Sequence, residues 1–348
     1  MRFLLSRVIA VTLALSFVQA SESRALSVQL SVPAGVSPEV ASAIERGAQR
    51  WEEVLSNPVV VNVEVSLSPL ASASTLATTS AVLLQESYGN VRAALGADGA
   101  VGGLLPISGI DVALPPDFLL GDHVEGTKAN FKALGFTGLD ERFGALDASI
   151  LINSSAPFDL DPSDGVDTGH FDLEGLMAHE LAHVLGFVSS VDWIDSVMGG
   201  ASGVQLVDPT LFDLFRFGTD VTDLGAEGVS LSPRNLVPGQ AGYFRGAGAF
   251  SYALSTGRHN GDGRQASHWK DDSLTGTWLG VVDPTIARGS SLVLTSADVE
   301  ALDTIGWSAV PEPSVGILMA AGGALACARR RRGERRSNRR TRGHLGRD

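Results

Sequence analysis

The run of residues 171–187, FDLEGLMAHELAHVLGF, sets two histidines and a glutamate at a spacing suited to hydrolysis assisted by a metal ion. Residues four apart on an α-helix lie on one face, so His179 and His183 can aim both imidazoles at a single cation. Zinc takes two neutral imidazoles, a third protein ligand and a water, and Glu180 is placed to receive that water's proton as general base. The ends of the segment also read as helix ends. Asp172 is a candidate N-cap, Glu174 suits the positive helix start, and Gly186 permits the stop; Leu173, Leu176, Leu181, Val184 and Leu185 supply apolar surface. The competing reading is a buried helix whose histidines only satisfy polar groups of the core. A chance HExxH inside so well capped a helix is rare, which favours the metal.

Upstream, the chain predicts a sheet with one covering helix. LSVQLSV (26–32) alternates, SPEVASAIERGAQRWEEVLS has helical spacing behind Ser37 and Pro38, and VVVNVEVSL (59–67) is a β-branched run. Residues 68–80, rich in Ser, Ala and Thr, read as a loop before a weaker helix around 81–95, and a Gly, Pro and Leu-rich segment runs to about residue 116. ASILIN (148–153) is a short strand. It reads equally as an edge that could receive an extended peptide and as an ordinary core strand. In FDLDPSDGVDTGH, Asp159, Asp161, Asp164 and Asp167 surround Gly165, so the turn is a candidate calcium loop. The spacing departs from the EF-hand, and an acidic turn without an ion is the competing reading.

After the histidine helix, PTLFDLFRF (209–217) reads as core, NGDG (260–263) as a tight turn, and TSADVEALDTIGW (295–307) as a closing helix capped by Ser296 with Gly306 at its stop. Two histidines leave a zinc site incomplete. The extended motif HExxHxxGxxH would place a third histidine where Ser189 stands, so that route is closed. From the residues alone, Asp192, His259, His268 and further acidic side chains all remain candidates. Tyr243, Tyr252 and His259 are the candidate oxyanion donors.

HELAHVLGF, a long insertion, then SHW and a DP turn together resemble the leishmanolysin-like zinc peptidases, which are related to the metzincins. More specifically, INSSAPFDLDPSDG, HELAHVLGF, DLFRF, GDGRQASHWKDD, VVDPT and ALDTIGW resemble, in the same order, a bacterial group of secreted metallopeptidases with PEP-CTERM sorting tails. The likeness covers roughly residues 148–307. It implies an α+β, zincin-like fold, peptide hydrolysis, and His268 as the third zinc ligand. Such families place a methionine in the turn beneath the metal, where VVDPT stands here, so Val282 is expected to take its place as an apolar floor.

Both ends of the chain bear on where the chemistry happens. MRFLLSRVIAVTLALSFVQA has a basic start, an apolar run and small residues at Val18 and Ala20, and reads as a signal peptide over residues 1–20. Residues 310–348 hold Pro311, Glu312 and Pro313, a short apolar stretch and an arginine block, and resemble a PEP-CTERM sorting segment. That resemblance implies an exosortase-type processing partner and a transient membrane association. The domain between, residues 21–309, is expected to form lobes of about 21–188 and 189–309, with the cleft between them and the product at the cell surface or outside it. With 44% hydrophobic residues the chain can bury a sizeable core. Its formal charge of −13 is carried by a body more acidic than that average, because ten arginines crowd residues 314–348. Such a body repels nucleic acid, and the arginines behind an apolar stretch are better explained by topology. The only cysteine, Cys327, lies in this tail, so no disulfide framework is expected. The rival to a secreted endopeptidase is a surface or matrix protein whose zinc is structural. Retention of Glu180 speaks against it, since a structural site needs no base.

Overall fold

A computed structural model describes residues 25–98, 114, 122–198, 207–219, 234–245 and 250–310. The signal-peptide and sorting-tail readings, and most of the Gly, Pro and Leu-rich segment, lie outside the described residues. Among those residues, no helix is long and apolar enough to cross a membrane.

The N-terminal part forms around strand β1 (Ser27–Ser31), helix α1 (Pro38–Glu52) and strand β2 (Val60–Ser68). Ser37 caps α1 by accepting from the Val40 amide, with Pro38 in the first turn. The buried face of α1 carries Ala43, Ile44, Gly47, Ala48 and Trp51. In β2, Val61, Val63 and Val65 point inward, as period-two patterning requires. Next come β3 (Ala77–Ala81), β4 (Leu83–Ser87), α2 (Tyr88–Asp98), β5 (His123–Thr127), α3 (Lys128–Ala133), α4 (Leu139–Phe143) and β6 (Ala148–Asn153). The main sheet runs β1-β2-β6-β3, with β1, β2 and β6 parallel and β3 antiparallel to β6.

One open choice is decided here and two expectations need correction. ASILIN is β6, enclosed between β2 and β3, so of its two readings the core strand holds, and the edges of the sheet are β1 and β3. Residues 77–80, expected in a loop, form the β3 edge together with Ala81: Thr78 and Thr79 suit a strand, but pairing with β6 is what makes one of so polar a segment. The weaker helix begins only at Tyr88, because Leu83–Ser87 pairs antiparallel with β5.

Two-residue strands β7 (Phe158–Asp159) and β8 (Phe171–Asp172) pair in parallel and lead into α5 (Leu173–Leu185), followed by α6 (Ser190–Met198). The PTLFDLFRF segment folds as a 3-10 turn whose Leu211, Phe212, Leu214 and Phe215 are buried, as expected of core. It runs into β9 (Arg216–Phe217), which with β10 (Gly242–Phe244) and β11 (Tyr252–Leu254) makes a three-stranded sheet. A helical turn, α7 (Asp272–Thr275), and the closing helix α8 (Ser296–Thr304) are the last elements among the described residues. The cap of α8 is Thr295 rather than Ser296: Thr295 and Asp298 form a reciprocal capping box.

The result is a mixed α+β protein with one continuous apolar core, from Leu26 to Trp307. The segment after α8 packs back on earlier elements: Trp307 Nε1 donates to the Leu185 carbonyl at 2.7 Å, Ser56 N to Ser308 O at 2.8 Å, and Val310 N to Val54 O at 2.8 Å.

Candidate metal centre

Helix α5 lies at the centre of the molecule and is buried nearly all round, as its mostly apolar sequence requires. Asp172 caps it by accepting from Gly175 N at 2.8 Å, and Gly186 ends it at φ +124°, both as the sequence predicts. Gly186 also has no room for a side chain, since a Cβ would sit 2.7 Å from Asn130 Oδ1. On its other flank, α1 straps the helix in place. Trp51 Nε1 donates to Ala178 O at 2.8 Å, and Arg46 and Arg50 both pair with Glu174 in the first turn of α5.

His179 and His183 project from α5 to one point, and His268 meets them there from the segment after β11. The Nε2 atoms of His179 and His183 are 3.3 Å apart, and those of His179 and His268 are 3.2 Å apart. Each ring turns its other nitrogen to a backbone carbonyl: His179 Nδ1 to Val281 O at 2.9 Å, His183 Nδ1 to Phe187 O at 2.7 Å, His268 Nδ1 to Gln265 O at 3.3 Å. A carbonyl only accepts, so these contacts place the ring proton on Nδ1 and leave three Nε2 lone pairs converging. Burial, above all, lowers the pKa of His179 and His183 to about 4 and that of His268 well below its ordinary value. All three are therefore neutral near pH 7. Converging lone pairs on neutral imidazoles suit a metal ion.

The elements around His268 explain its placement. Asp192, a rival candidate for the third ligand, takes no part in the histidine cluster. From α6 its carboxylate accepts from Ala266 N, Ser267 N at 3.0 Å and Ser267 Oγ, fixing the segment that carries His268. The VVDPT turn lies beneath the site as expected, with Val281 and Val282 buried. Val281 O orients His179, while Val282 O accepts from Trp269 N at 3.1 Å, one residue past His268. Sequence reasoning missed the group that ties this floor together. Buried Asp298 accepts from Trp269 Nε1 at 2.8 Å, Val281 N at 2.9 Å and Thr295 N at 2.8 Å, and burial pushes its pKa up to about 6. Thr295-x-x-Asp298 could have announced a helix cap, but nothing local announces the contacts to Trp269 and Val281. Gly280 permits the close approach, since a Cβ there would stand 2.2 Å from Asp298 Oδ2.

Glu180 is buried beside the histidines, and Thr79 Oγ1 donates to its Oε2 at 2.6 Å. Burial raises the pKa of this carboxyl, opposed by His183 and by the Thr79 hydrogen bond. The sequence carried no signal for Thr79.

The candidate oxyanion donors have other partners. Tyr252 donates its hydroxyl to Glu300 at 2.6 Å, Tyr243 lies beneath the Arg245 guanidinium, and the His259 amide is held by Asp195. The expected calcium loop does not converge: among the described residues, the acidic turn is not one of the groups whose ligand atoms meet. Asp159 instead accepts from Asp161 N at 2.9 Å and Asp167 N at 2.7 Å, and Asp161 accepts from Ser163 N, while Asp164 and Asp167 are exposed. These carboxylates shape a turn. The acidic side chains that do approach one another are Asp271, Asp272 and Asp283. Asp271 is bound by Arg264 and Ser273 N, and Asp283 by the amides of Asp272 and Thr285.

No family model, curated protein or solved structure matches the chain.

Proposed function

We propose that this chain is an exported zinc-dependent endopeptidase with a zincin-like architecture, and that His179, His183 and His268 hold the zinc. The observation that carries the reading is the convergence of three histidine Nε2 atoms beside a buried glutamate. A tetrahedral ion with bonds of about 2.05 Å sets its nitrogens about 3.3 Å apart. The separations of 3.2 and 3.3 Å match that value. Three nitrogen ligands leave one position of a tetrahedron for a water, the arrangement of a catalytic site; structural zinc sites are closed by a fourth protein ligand.

Zinc held there would polarise the scissile carbonyl and acidify a water toward neutral pH. Glu180 accepts the water's proton and passes it to the leaving amine, a transfer its burial assists by keeping its pKa above that of an exposed carboxyl. The edge of β3 is suited to hold the substrate. Asn153 N donates to Leu76 O, which fixes the antiparallel alternation, so Thr78 and Ser80 spend their backbone groups on β6 while Ala77, Thr79 and Ala81 turn theirs to the open edge. An extended peptide added there gains backbone hydrogen bonds next to the metal. Cleavage by an exosortase-type enzyme at the Pro311-Glu312-Pro313 segment would then place the protein at the cell surface or release it.

The test compares the full-length chain with Glu180→Gln on a denatured protein substrate, with zinc measured in both. Turnover should fall by at least about a hundredfold in the variant with zinc retained. Two zinc-loaded proteins that both fail to cleave a broad substrate set would point to the structural alternative.

A further inference from the structure

The hydrogen bond from Thr79 to Glu180 gives the edge strand a part in the chemistry. Thr79 stands in the middle of β3, and its side chain turns toward α5 while Thr78 and Ser80 on either side are exposed. Its hydroxyl has one proton. The Glu180 carboxylate oxygen at 2.6 Å competes for it with the Glu180 backbone carbonyl at 3.3 Å, and distance favours the carboxylate. Among the described residues Thr79 is the one side chain that donates to this carboxylate, and it does so at Oε2, which leaves Oε1 without a side-chain donor. A glutamate carboxylate turns freely about its last bond unless something holds it. A buried carboxylate anchored at one oxygen has its other oxygen fixed in direction, and a general base needs that direction before it needs a pKa. The same residue also presents its backbone N–H and C=O at the open edge of the sheet.

We infer that Thr79 is a positioning residue for the general base: its hydroxyl holds Glu180 Oε2 so that Oε1 faces the metal-bound nucleophile, within the strand that receives the substrate. This inference rests on the peptidase reading of the same site. A merely structural role would make the hydroxyl a satisfied polar group with no bearing on turnover.

The experiment uses the full-length, zinc-loaded chain and two substitutions. Thr79→Val keeps the shape and β-branching and removes the donor; Thr79→Ser keeps the donor. Thr79→Val should lower kcat by about 10- to 100-fold, the range for loss of one well-placed hydrogen bond to a charged group, with KM and zinc content within about twofold of wild type. Thr79→Ser should recover to within about threefold of wild type. A second readout needs no turnover. Acetohydroxamate binds zinc and donates a hydrogen bond to a correctly held glutamate, so its affinity, measured by calorimetry, should fall in Thr79→Val and in Glu180→Gln. In a Glu180→Gln background the Thr79→Val change should add nothing. Unchanged kcat in a folded Thr79→Val, a Thr79→Ser as impaired as the valine, or an affinity loss that persists without the carboxylate would each overturn the proposal. Absence of wild-type cleavage would sink the peptidase reading by itself, while the hydroxamate comparison would still decide whether Thr79 acts through Glu180.

Discussion

At the residue scale the histidine triad has a consequence for proton balance. An imidazole of ordinary pKa, about 6.5, is roughly three-quarters protonated at pH 6, so an exposed site of three would release about two protons on taking up zinc. Here burial holds His179 and His183 near 4 and His268 low. The sign follows directly: a depressed pKa means the folded, metal-free site is already neutral at pH 6, and protons compete with the metal only as the pH falls toward 4. Calorimetry of zinc binding at pH 6, in two buffers of different ionisation enthalpy, should report fewer than about 0.5 protons released. Release of two would show that the rings are solvated and protonated before binding, against the packed arrangement described above.

Elements place these residues, and two contacts between elements are open to test. Helix α1 touches α5 through Gly47, where a Cβ would meet Glu174 O and Met177 Cβ, both at 2.6 Å. Gly47→Ala should therefore push the helices apart and cost about 1–3 kcal/mol, read as a lower denaturant midpoint. Helix α6 acts on the site through Asp192, whose carboxylate holds residues 266–267. Asp192→Ala should weaken zinc binding by about 10- to 100-fold, as loss of an outer partner to a ligand segment does; unchanged affinity would mean the Val282 turn alone fixes His268. Much of this architecture was legible where local chemistry decides it. Ser37 and Pro38 announced α1, Asp172 and Gly186 bounded α5, and the alternation of β2 gave its inner face. Where structure depends on a distant partner, the sequence was silent. Thr78 and Thr79 become a strand only because β6 is beside them, and ASILIN is interior only because that strand exists. Thr295 and Ser296 are both hydroxyl residues at the right place, so composition could not choose the cap. Asp192 was singled out for the right region and the wrong role. Its position nine residues past His183 brings it to the segment that carries His268, which it holds through residues 266 and 267.

Across the whole molecule, the candidate metal joins regions that the chain itself joins only through a long insertion. His179 and His183 come from the central helix packed on the main sheet, while His268 follows β11 in the second, three-stranded sheet. The apolar core and the return of residues 307–310 to residues 54–57 hold these parts together without an ion, so the metal-free protein should remain folded. Zinc at the proposed site would bind only its assembled form, and at a free concentration about a thousand times its Kd it would add about 4 kcal/mol. For a protein of this size that is about 7 °C in Tm. Chelation should lower Tm by about that amount and reduce amide protection chiefly in residues 252–256 and 266–269, the strands and turn behind His268. His268→Ala in saturating zinc should resemble the chelated wild type, whereas Thr79→Val should keep the full zinc-dependent increment. A loss of protection spread evenly over the main sheet would mean that the metal stabilises the core as a whole and that His268 is not the hinge of the effect. A His268→Ala protein still raised by zinc to the wild-type Tm would remove that histidine from the ligand set.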